Sequence, residues 1–199
     1  MTVGELARWY QARRAPTCSL RVVPCDRNGK NVWVPPSPNM PTLDTAYVYP
    51  GMCLLEGTTL SEGRGTTTPF LLFGAPEIHP VRLCNTLQLF ECPGVDFVPR
   101  IFRPEFGKHA GKQCGGAYIR VFDATCVQGV ALGVYCLEAV RRVAPSALTW
   151  RTDAYEFVED VCAIDLLWGS PALRETLEGG GDVSALLKSA QASLEGFVR

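Results

Sequence analysis

Residues 56–70, EGTTLSEGRGTTTPF, gather the densest chemistry in the chain. Glycines bracket Arg64, so the backbone can approach a ligand closely while the planar guanidinium offers a fork of donors to a carboxylate or phosphate. Glu56 and Glu62 can accept from sugar hydroxyls, orient Arg64, or act as an acid or base. Thr58, Ser61, Thr66 and Thr67 add hydroxyls that make directional contacts. A surface turn closed by an internal Arg–Glu pair accounts for the same residues, because Gly-Arg-Gly matches no phosphate-binding pattern.

A second polar loop, residues 104–116 (PEFGKHAGKQCGG), places Lys108 and His109 side by side and Cys114 just before two glycines. A Cys–His nucleophile is one reading of it, but a five-residue separation within a loop supplies neither a placed base nor an oxyanion hole. His79, before Pro80, reads as a helix cap or surface residue. With 2 histidines and no CxxC pair, neither a metal site nor any cofactor is expected. Trp33, Tyr47 and Tyr49 flank the first loop and are either sugar-stacking rings or core.

The elements that must position these loops follow from periodicity and caps. Thr2-Val-Gly-Glu5 is a capping box opening a helix to about Arg14, and residues 20–24 read as a strand. Asp26 to Lys30 is a turn by composition, and the prolines of WVPPSPNMPTL favour a stiff, extended path. AYVYPGMCLL, residues 46–55, reads as a β-rich run split by Pro50-Gly51 that feeds the first loop. Residues 70–73 are expected as a short strand, 79–92 as a helix, 96–103 as an edge strand tolerating Pro99, and 117–122 as a strand. Helices are expected over 128–143, over 154–167 behind an Asp153 cap, over 171–178, and from about Val183. The fold class is α+β, a single domain over residues 1–199 with a mixed β-sheet in its first two thirds and a helical C-terminal part.

A chain of 199 residues, 47% hydrophobic and 20% charged, can bury a core, and a net charge of −1 without a basic stripe argues against nucleic acid. No uninterrupted apolar stretch reaches the length a membrane span needs, and the first residues lack a signal-peptide core. The 9 cysteines, odd in number, read mainly as small buried groups in a reducing compartment, which favours a cytoplasmic location.

The stretch WVPPSPNMPTLDTAYVYPGMCLLEGTTLSEGRGTTTPFLLFGAPEI resembles the C-terminal half of the exo-β-N-acetylmuramidase (NamZ) family, long known as a domain of unknown function. The likeness continues in FRPEFGKHAGKQCGGAYIRV and IDLLWGSPALRETLEGG and covers nearly the whole chain. It implies the substrate-binding half of a glycoside hydrolase that releases N-acetylmuramic acid from non-reducing ends of peptidoglycan fragments. A Rossmann-like N-terminal half would close the cleft, as a separate partner if need be. It also implies that Arg64 clamps the lactyl carboxylate while Glu56, Glu62, Thr66 and Thr67 meet hydroxyls and the acetamido group, with Lys108 and His109 from the second loop. The catalytic residues stay open, Glu56 and Glu62 being possible.

This chain departs from the family pattern near the site. Thr59 stands where Asn is usual, Thr68 where a basic residue is frequent, Glu77 where an aromatic is usual and Gly107 where Ser is common. The alternative function is a non-catalytic module that binds a sugar or assembles with a partner.

Overall fold

Thr42 accepts a hydrogen bond from Thr45 N at 3.2 Å, as an N-cap hydroxyl should, and starts a helix where a strand was expected. In a computed structural model of the chain, which describes residues 2–24 and 33–198, this helix is α2, Leu43–Met52, continuing as a 3-10 turn over Cys53–Gly57. Pro50 lies inside α2 near its end, where its missing N–H removes only one intrahelical bond. The compensation is tertiary. Gly51 packs on α4, Gly129–Val143, so closely that a β-carbon on Gly51 would sit 1.9 Å from Gly129 O, and one on Gly133 would sit 2.1 Å from Gly51 O. Pro50-Gly51, which reads locally as a breaker, is here a helix-crossing motif.

The chain divides into two compact units, Met1–Val34 with Gln191–Arg199, and Pro35–Ala190. In the first, α1 (Val3–Arg14) carries the expected capping box: Thr2 Oγ1 accepts from Glu5 N at 3.2 Å, and Thr2 N donates to Glu5 Oε2 at 2.6 Å. Residues 20–24 join no ladder, so the strand expected there does not form. The turn expected over Asp26 to Lys30 lies outside the described residues.

The second unit holds the sheet, with strands β1 (Leu72–Ala75), β2 (Val95–Phe102) and β3 (Cys114–Val121) in the order β1-β3-β2. Every pairing is antiparallel, so the α+β class is as expected while the sheet is not mixed. Pro99 sits on edge strand β2 opposite Ala117, where a missing N–H costs least. Helices α3 (Pro80–Leu87), α5 (Ala163–Trp168), α6 (Ala172–Glu178) and α7 (Val183–Val198), with a 3-10 turn over Pro145–Ala147, complete the described elements. Met52, Leu55, Leu60, Phe70, Phe73 and Leu137 are among the largest fully buried side chains, so the core runs from α2 through the 56–70 loop to the sheet and α4. No described helix is long and apolar enough to cross a membrane.

The helix expected over residues 154–167 forms only from Ala163. Glu156 and Phe157 have φ of 48° and 67°, while Tyr155 N donates to Val158 O and Val158 N to Tyr155 O at 3.0 and 2.9 Å. That pattern is a two-residue hairpin loop of type I′, which ordinarily takes Asn-Gly. Neither Glu nor Phe suits the left-handed region, at roughly 1 kcal/mol each, and Phe157 is fully exposed. Replacing the pair with Asn-Gly therefore stabilises the protein by about 1 kcal/mol in urea unfolding; a lower midpoint would show that the turn is held by contacts of these two side chains.

Candidate functional site

The first loop is mostly internal. Ser61 N and Gly74 O are 2.9 Å apart and Gly74 N donates back to Ser61 O at 3.0 Å, which staples the loop to β1. Gly63 and Gly65 both have φ of 80°, and a β-carbon there would lie 2.3 Å from Leu72 O and 2.4 Å from Phe106 O respectively. The glycines around Arg64 thus serve close packing of backbone on backbone. The hydroxyls are engaged locally as well: Thr58 Oγ1 donates to Leu55 O at 2.8 Å, Ser61 Oγ accepts from Gly63 N at 3.2 Å, and Thr66 Oγ1 donates to Gly63 O at 2.6 Å. Thr67 is exposed.

At the centre are two buried carboxylates. Glu56, on the 3-10 turn, and Glu62 are 8% and 4% exposed, a rare state for glutamate unless it is paired. Arg64 Nη2 donates to Glu56 Oε1 at 3.2 Å, Arg64 Nε lies 3.7 Å from Glu62 Oε1, and Lys108 Nζ lies 3.0 Å from Glu62 Oε2. Lys108 Nζ also donates to Leu55 O at 2.8 Å. Both contacts of Glu62 are ion pairs without hydrogen-bond geometry, so Glu62 Oε2 and Arg64 Nε are buried without an aligned partner. The structure therefore brings Glu56, Glu62, Arg64 and Lys108 into one network, and Arg64 lies over the Phe70 ring, 5.4 Å from its centroid.

Burial raises the Glu56 pKa above the usual carboxylate value; Arg64 opposes the shift, and the charge of Glu62 adds to it. A carboxyl that keeps its proton to higher pH suits general-acid chemistry. Burial likewise holds Lys108 below the ordinary lysine value, against the pull of Glu62.

Sequence reading missed the third wall. Residues 149–151 run antiparallel to 57–59: Thr59 N donates to Thr149 O and Arg151 N to Gly57 O, both at 2.9 Å. Thr59, one of the departures from the family pattern, donates its hydroxyl to Ala147 O at 2.9 Å and accepts from Thr149 N at 3.1 Å. Tyr155 then reaches back to donate from its hydroxyl to Glu56 Oε2 at 3.3 Å. Only the aromatic and charged composition of WRTDAY hinted at this.

Thr58, Thr59, Lys108, His109, Trp150 and Arg151 are among the residues lining a cavity of about 550 Å3, within the size range of small-molecule sites. Lys108 is common to this cavity and the carboxylate network. His109 is held at φ 59°, a conformation uncommon outside glycine, and its Nε2–H donates to Thr59 O at 2.9 Å, since a carbonyl can only accept.

The Cys–His reading fails here. Cys114 is fully buried, its thiol pushed up to about 11 by burial, and it contacts Lys112 O at 3.8 Å while His109 bonds Thr59. Of the described cysteines, all free, Cys84, Cys114 and Cys136 are buried and Cys18 and Cys126 exposed, so fewer are core groups than expected. His79 caps α3, its Nδ1 accepting from Arg82 N at 3.5 Å. Tyr49 packs edge-on to Phe70 with ring centroids 4.9 Å apart, Tyr47 is 43% exposed, and Trp33 belongs to the other unit.

The family described as "Exo-beta-N-acetylmuramidase NamZ, C-terminal" matches residues 47–199, which include every residue of this network and cavity. The chain belongs to the NamZ C-terminal family. It is 34% identical to the peptidoglycan β-N-acetylmuramidase NamZ of Bacillus subtilis (strain 168) over 99% of its own length and 48% of that relative. The chain thus spans about half the length of this NamZ relative. Two crystal structures of DUF1343-family proteins from Bacteroides fragilis NCTC 9343 are similar. One has a TM-score of 0.73 at 24% identity over 88% of this chain and 48% of its own, and likeness at that identity speaks for the fold alone. The other has a TM-score of 0.62 at 25% identity over 99% of this chain and 52% of its own.

Proposed function

We propose that the chain is the substrate-binding half of a glycoside hydrolase resembling exo-β-N-acetylmuramidase, acting on N-acetylmuramic acid at non-reducing ends of peptidoglycan fragments. The observation that carries this reading is the junction at Lys108, where a cavity of about 550 Å3 meets two buried, ion-paired carboxylates in a NamZ-family domain. Glu56 is the acid candidate, because burial keeps it protonated to higher pH and the Tyr155 hydroxyl fixes its second oxygen. Glu62, locked between Arg64 and Lys108, holds those cations in place. Thr58 and Ser61 shape the loop backbone, and Thr66, Thr67, Lys108 and His109 offer rim contacts to the sugar.

Glycoside hydrolysis ordinarily uses two carboxyl groups flanking the bond, and Glu62 is ion-paired on both oxygens within this chain. We therefore place the second group in a Rossmann-like first half of the kind the family carries. The same locked ion pairs favour, as a second reading, a module that binds the sugar without cleaving it.

A chromogenic N-acetylmuramide separates the two. The chain alone binds the sugar without turnover, and addition of a NamZ-type first half yields hydrolysis that Glu56→Gln lowers at least 100-fold. Binding with no turnover in the mixture selects the non-catalytic module; no binding in either arm removes both readings.

A further inference from the structure

The cavity beside Lys108 contains a cation that no carboxylate among the described residues neutralises. Lys108 faces Glu62 and Leu55 O, and the Nε2–H of His109 faces Thr59 O. Arg64, which the family likeness implies as the anion clamp, has two of its nitrogens turned to Glu56 and Glu62. Arg151 differs. Its backbone is fixed by the bond from Arg151 N to Gly57 O, and its Nη2 donates to Ala154 O at 2.9 Å. Its guanidinium carbon lies 5.3 Å from the centroid of the Tyr155 ring. Among the described residues it forms no ion pair, although Asp153 lines the same cavity.

These contacts orient a guanidinium and leave donors over: one edge is held by a carbonyl, one face lies on an aromatic ring, and the rest of the five N–H donors can meet a ligand. We propose that Arg151, rather than Arg64, is the residue that recognises the carboxylate of an acidic amino sugar in this cavity. The assignment rests on the glycoside reading above for the sugar and on the local geometry for the anion. A monoanion fits better than a phosphate dianion, because Asp153 lines the cavity and Glu56 and Glu62 lie behind Lys108. The fork of donors matches the two coplanar oxygens of a carboxylate, a match that a lysine at this position would lose.

The test is calorimetric titration of the chain with N-acetylmuramic acid and with neutral N-acetylglucosamine, joined to NMR of the Arg151 side-chain Nε–H during addition of lactate. Wild type prefers the acidic sugar by at least ten-fold. Arg151→Gln brings the two affinities together by weakening the acidic sugar alone, and Arg151→Lys restores only part of the preference. Arg64→Gln keeps the preference. A preference that survives Arg151→Gln and disappears in Arg64→Gln overturns the assignment, as does equal weakening of both sugars, which would mark Arg151 as a brace for the 151–155 turn. A lactate-induced shift at Arg151 without binding of either sugar upholds the carboxylate anchor and sinks the glycoside reading. No shift and no binding sinks both.

Discussion

Gly51→Ala lowers the unfolding free energy by roughly 3 kcal/mol, the upper range for overpacking a filled contact. The new methyl would meet Gly129 O at 1.9 Å, with Gly129 C and Gly133 N at 2.8 Å, and all of these are backbone atoms that no rotamer change can clear. Either α2 tilts away from α4 or the helix distorts at Pro50. Both routes open the core around Val48, Met52 and Leu137, which are fully buried. Both also move the 3-10 turn over Cys53–Gly57 that follows α2 and carries Glu56. Gly133→Ala, whose methyl would meet Gly51 O at 2.1 Å, has an effect of the same order, and the double variant loses less than the sum because one separation of the helices relieves both clashes. Urea unfolding with an unchanged slope measures this; a loss under about 1 kcal/mol for Gly51→Ala would show that the crossing has slack.

The second large effect belongs to Lys108. Lys108→Met removes the cation 3.0 Å from Glu62 Oε2 and leaves a carboxylate that is 4% exposed with, among the described residues, only Arg64 Nε, 3.7 Å away, as its counterion. Breaking one side of a buried ion pair costs about 3 kcal/mol, mostly from the charge left behind, whereas removing both sides costs far less. Lys108→Met is accordingly destabilising by that amount, and Lys108→Met with Glu62→Gln recovers most of it. A double-mutant cycle that is additive within experimental error would show that the pair is not coupled and that Lys108 acts through its bond to Leu55 O.

Several parts of this protein are written locally and survive folding unchanged. The Thr2–Glu5 capping box, the 3.6-residue pattern of α4 and the His79 cap each involve residues within a few positions of one another. Short-range sterics and hydrogen bonding settle such features before any tertiary contact forms. The grouping of Glu56, Glu62 and Arg64 was legible in the same way, since a Gly-Arg-Gly turn that follows two glutamates invites an internal ion pair.

Tertiary structure decided the rest. Pro50-Gly51 looks like a break until α4 is present to accept a glycine at backbone contact, and only then does a helix follow from Thr42. The first part of the helix expected over residues 154–167 yields to a left-handed turn whose Tyr155 donates to Glu56 across 99 positions of sequence. Arg151 and Trp150 join the site because residues 149–151 pair with 57–59, and no local pattern encodes a pairing between segments so far apart. Residues 56–70 determined by themselves that acids and an arginine would meet; burial of both glutamates, the local engagement of the loop hydroxyls and the placement of the Arg151 guanidinium, without an ion pair among the described residues, come from packing, which alone fixes which charges face each other and which face the cavity.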